Sequence, residues 1–150
     1  METDLVLAIA HHFAVFLLAA VLAVEFVLIR PGLAKGDLAL LANVDRAYGG
    51  LAVLIILIGI GRVLFGLKGW EYYVYYRAFW AKMAAFAAVG LLTVPPTMRI
   101  LRWRSQAAAT SGYVVPESEI AGLRGYLKGQ VVCFALILVF AATMARGVGY

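Results

Sequence analysis

Two adjacent histidines, His11 and His12, stand about two turns into an apolar run, with Arg62 near the end of a second run and Lys82 near the start of a third. Imidazole ligates metals, while guanidinium and ammonium groups pair with acids, so these four residues have the chemistry to hold an anionic ligand built around a metal. Haem b is the membrane ligand that combines the two: one imidazole would take the iron and Arg62 and Lys82 the propionates. His11, His12, Arg62 and Lys82 are therefore the candidate cofactor-binding residues, with His11 or His12 as the metal ligand. Phe13, Phe16, Phe79, Phe86 and Trp80 are the aromatic residues near enough in sequence to pack on the ring.

Neighbouring helical positions point about 100° apart, so His11 and His12 cannot both be axial ligands of one iron. The chain has no further histidine. A sixth ligand would have to be Met83, Met144, a tyrosine, a substrate or a group from a second protomer, and an open sixth position suits chemistry better than electron transfer. The alternatives are structural: Arg62 and Lys82 can snorkel to the membrane boundary, and a histidine can hydrogen-bond across helices. Glu25, near the inner end of the first run, is expected to pair with a cation of the inner loops, a proton relay being the less favoured reading.

Other chemistries lack residues to support them. No nucleophile with a base, no paired carboxylates and no phosphate loop stand out, which removes support for hydrolase and kinase activities. Met1, Met83, Met98 and Met144 are scattered, giving no evident thioether copper site, and the single cysteine, Cys133, lies in an apolar run with a packing role.

The elements that must position these residues are membrane helices. The 150 residues are 65% hydrophobic and 14% charged, and the mean hydropathy is +0.94. An apolar core about 30 Å thick needs about 20 residues at 1.5 Å each. Four runs of that length take up most of the chain, so the expected fold is all-α, a single transmembrane four-helix bundle over residues 1–150 with almost nothing left for a soluble domain. The spans are expected at about 5–29, 47–67, 78–94 and 128–146.

Arg30-Pro31-Gly32 closes the first span. A short amphipathic stretch with Asp37 as N-cap should precede the second. The five aromatic rings between Trp70 and Tyr76 suit a headgroup belt, and Pro95-Pro96 should break or kink the third span. Residues 105–116 form the loop-like polar segment, after which Glu117 and Glu119 open a helix leading into the fourth span.

The formal charge of +5 lies beside apolar runs, where it signals topology and anionic lipid rather than nucleic acid. Arg30, Lys35, Arg46, Arg99, Arg102, Arg104, Arg124 and Lys128 flank two connections on one side; Lys68, Arg77 and Arg146 lie on the other. The positive-inside rule then places both termini outside, in the periplasm of a bacterial inner membrane. Because successive helices run in opposite directions, His11, His12, Arg62 and Lys82 should share the outer half.

His11-His12-Phe13-Ala14, Glu25 through Gly32, Arg62-Val63 and Phe79-Trp80-Ala81-Lys82 resemble a family of small bacterial membrane proteins of unknown function. More remotely, the early histidine, the Trp-x-Lys element and the basic connections are similar to HemJ-type protoporphyrinogen oxidases and to CopD-type membrane domains. The HemJ resemblance implies a haem-binding bundle, with His11 or His12 and Lys82 at that family's histidine and lysine positions.

The leading functional expectation is thus a haem b-binding, cytochrome b-like bundle with a redox or tetrapyrrole-oxidation role. The alternatives are a non-enzymatic accessory or assembly subunit of a membrane complex and a small proton-coupled transporter using the histidines and Glu25. The expected partners are the lipid bilayer and a second copy or larger membrane complex.

Overall fold

The computed structural model describes residues 2–66 and 68–148. Its helices are α1 (Glu2–Leu28), α2 (Lys35–Phe65), α3 (Gly69–Val74), α4 (Arg77–Ala109) and α5 (Glu117–Ala145). The four long helices are each apolar and long enough to cross a membrane, while α3 carries the aromatic connection. The α1–α2 and α4–α5 hairpins form the tight pairs, and α2 packs against α4 to join them.

The helices run further than the hydropathy alone implies. At 31 and 33 residues, α2 and α4 extend about 46 and 50 Å at 1.5 Å per residue, so each outreaches a 30 Å apolar core by about 15–20 Å. The expected break before Ala47 is absent because one face, Leu38, Leu41, Asp45 and Tyr48, is buried continuously at helical spacing. Ala34, in extended conformation, occupies the N-cap position; the Asp37 expected there falls inside the first turn. The second span ends at Phe65, with Leu67 outside the described residues.

Pro95 and Pro96 likewise sit inside α4, which continues to Ala109. Proline removes the N–H that would bond the carbonyl four residues back, so Pro96 leaves the Leu92 carbonyl without its helical donor. The buried Gln130 of α5 supplies one, its Nε2 donating to Leu92 O at 3.1 Å. The polar loop shrinks accordingly to residues 110–116. The helix expected from Glu117 runs unbroken to Ala145.

The overhanging ends of α2, α4 and α5 pack together at the end of the bundle that carries most of the cations, here called the basic end. Ile29, Leu33, Leu41, Ile100, Trp103, Leu123 and Leu127 are fully buried there. An antiparallel bridge joins Ala34 to Val114, and Val115 N–H donates to Leu33 O at 3.1 Å, fastening the two connections together. Arg124 donates to the Phe26 and Ile29 carbonyls at 3.2 and 2.6 Å and lies over the Phe26 ring, closing the C-terminal end of α1. Glu119 receives the Trp103 indole and the Arg102 guanidinium. The chain therefore keeps a packed cap beyond its apolar belt, where the sequence promised almost nothing.

The opposite end, bearing both termini, is tied through fully buried Tyr76, whose hydroxyl donates to Val148 O at 2.6 Å. Tyr72 stacks on Tyr76 with ring centroids 5.5 Å apart, and the Trp80 indole donates to Val74 O at 2.9 Å, giving the expected aromatic belt a definite packing.

Candidate functional site: two polar clusters on one face of α1

His11, Ala14, Leu18, Leu22 and Glu25 recur at three- and four-residue intervals and form the inward face of α1. Glu25 is fourteen positions after His11, about 21 Å along the axis at 1.5 Å per residue. Each is the centre of a separate polar cluster.

In the half nearer the termini, His11 is within electrostatic reach of Lys82 and Arg62, and Lys82 of Arg62. Three helices thus bring three of the four expected residues together: α1 supplies His11, α2 Arg62 and α4 Lys82. Register agrees, because the methyl groups of Leu7 lie against Gly61, putting the start of α1 level with the end of α2. The His11 Nδ1 and the Arg62 Nε are buried and lack hydrogen-bond partners. Among the described residues no carboxylate lies within ion-pair distance of Arg62 or Lys82.

His12 is elsewhere. It is exposed, turned out of the inward face, and its Nδ1–H donates to Ala8 O at 2.7 Å. Of the expected ring-packing aromatics, Phe86 packs against the buried core. Phe13, Phe16 and Trp80 are exposed, and Phe79 is half-buried against Tyr73 and Trp80. Met83 and Met144 are both half-buried. Among the described residues no three His, Cys, Asp or Glu side chains converge as a metal cluster.

The second cluster is at the basic end. Glu25 is 2% exposed and Asp45 8% exposed, and the two carboxyls are within electrostatic reach of one another. The Thr97 hydroxyl of α4 donates to Asp45 Oδ1 at 2.9 Å. Tyr48, one turn beyond Asp45, is 1% exposed, senses both carboxyls and has an unpartnered hydroxyl beside Thr93. The cation expected to pair with Glu25 is missing: among the described residues neither carboxylate has an ion-pair partner. Starting the second span at Ala47 puts Asp45 in a connection and hides this pair; the spacing Leu38, Leu41, Asp45, Tyr48 is the signal that could have revealed it.

Residues 3–149 match the family described as predicted membrane protein DUF2214. The chain belongs to this family. No curated protein and no solved structure matches it significantly. DUF2214 membership agrees with the four candidate spans and leaves the chemistry to be argued from the two clusters.

Proposed function

We propose that this DUF2214 protein binds an anionic, membrane-embedded ligand among His11, Arg62 and Lys82, and that the ligand is haem b serving a redox role. The observation that carries the reading is the meeting of two cations and an unpartnered imidazole nitrogen with, among the described residues, no carboxylate within ion-pair distance of either cation. Each charge inside a span costs roughly 2.5–3.5 kcal/mol on insertion scales, so the pair calls for a compensating anion.

Haem b meets the demand of all three groups, offering propionates to Arg62 and Lys82 and iron to an imidazole. His11 faces the cluster and is the ligand in this reading; His12, exposed and turned off the inward face, is not. When bound, the haem would supply one-electron chemistry; the chain supplies the charge that holds it and the apolar wall that excludes water. The cation-rich ends of α2, α4 and α5 favour a cytoplasmic basic end and periplasmic termini in a bacterial inner membrane.

The test is an absorption spectrum of protein purified in mild detergent after expression with ample haem. A Soret band that disappears in His11→Ala and persists in His12→Ala supports the proposal. A pigment-free protein that carries a stable membrane partner would favour the accessory-subunit reading instead.

A further inference from the structure

We propose that Glu25 and Asp45 form a proton-exchange site, holding one proton between them and trading it with water at the basic end. Two buried carboxylates within electrostatic reach of one another repel, and each loses hydration, so leaving both ionised without a counter-charge is unfavourable. The surrounding cations are engaged elsewhere. Arg124 of α5 is bound to the Phe26 and Ile29 carbonyls, Arg99 of α4 lies against Gly122 and the Tyr126 ring, and Arg46 of α2 is exposed. A proton is the smallest charge that can balance the pair.

A separate feature points to the same ligand. Tyr48, on the same face of α2 as Asp45, keeps a buried hydroxyl, beside Thr93 and without a hydrogen-bond partner, within electrostatic reach of both carboxyls, a polar group that a water or proton entering the site could bond. Further toward the termini, Gln130 presents an unpartnered, buried Oε1, and Thr93 a hydroxyl. In the exchange step a water-borne proton bonds to one carboxylate oxygen and the pair falls from two negative charges to one; release reverses the step. No redox partner is needed. The site is independent of the ligand proposed at His11.

Infrared spectroscopy of the intact protein in lipid nanodiscs at neutral pH tests the proposal. The expected result is a protonated-carboxyl C=O band that moves in heavy water, moves again when aspartate or glutamate carries a heavy-carbon carboxyl, and disappears in Glu25→Gln/Asp45→Asn. Amino-acid labelling separates it from any propionate band, so failure here and failure of the haem reading are distinguishable, and it needs no folded variant. Three results would overturn the proposal: no such band, a band untouched by either label or retained in the double variant, or its loss on adding sodium or potassium at constant pH, which would indicate a metal-cation site.

Discussion

Gln130 shows how one side chain can replace a backbone donor. Pro96 cannot bond the Leu92 carbonyl, and the Gln130 amide does so at 3.1 Å from the facing helix. Gln130→Leu should therefore destabilise the bundle by about 1–3 kcal/mol, the usual cost of a buried unsatisfied polar group. In a Pro96→Ala background the backbone N–H returns and the same substitution should cost much less, which a double-mutant cycle of thermal unfolding in detergent would measure. Equal costs in both backgrounds would refute this role. Gly32 offers a second single-residue test: its φ is +84° with open space where a Cβ would go. Gly32→Ala should cost about 1–2 kcal/mol through backbone strain alone.

Which residues of the site could be read from the chain follows from how far each depends on partners distant in sequence. His11, Arg62 and Lys82 announce themselves as charges or imidazoles within apolar runs, and antiparallel passage through a bilayer suffices to place them at one depth. His12 needed the helix phase, which puts Ala14, Leu18 and Leu22 inward and His12 off to the side. Asp45, Thr97 and Gln130 look ordinary in sequence, because their roles arise only when α2, α4 and α5 meet.

At the level of elements, the positions of the four spans were legible from hydropathy, but their ends were not. Hydropathy marks where lipid stops, whereas α2 and α4 end where their packing stops, in a cap cemented by Leu38, Leu41, Ile100 and Trp103. The prolines do not break the helix for a related reason: the tertiary contact from Gln130 offsets the missing helical bond inside α4. Arg124 holds the end of α1 through two carbonyls and a ring. Arg124→Lys keeps the charge but loses the planar fork and stacking, so it should leave topology intact while hastening hydrogen exchange in the last turn of α1. Exchange unchanged from the native protein would show that α1 is closed by other contacts.

Across the whole molecule, polarity is divided along one bundle, with cations around His11 toward the termini and carboxyls around Glu25 toward the basic end. The proposed orientation, basic end inward, predicts that single cysteines at Ser111 and Glu117, placed on a Cys133→Ser background, react with membrane-impermeant maleimide only from the cytoplasmic face. A cysteine at Thr3 should react only from the periplasmic face; labelling of all three from one side would exclude the four-span topology.

The central claim is that His11, not its neighbour, faces a ligand held by Arg62 and Lys82. The most direct measurement is the oxidised and reduced absorption spectrum of the purified protein, compared among native, His11→Ala and His12→Ala forms made with ample haem. The account predicts a Soret band in the native and His12→Ala proteins and none in His11→Ala. Absence of the band from correctly folded native protein, or its survival without His11, would contradict it.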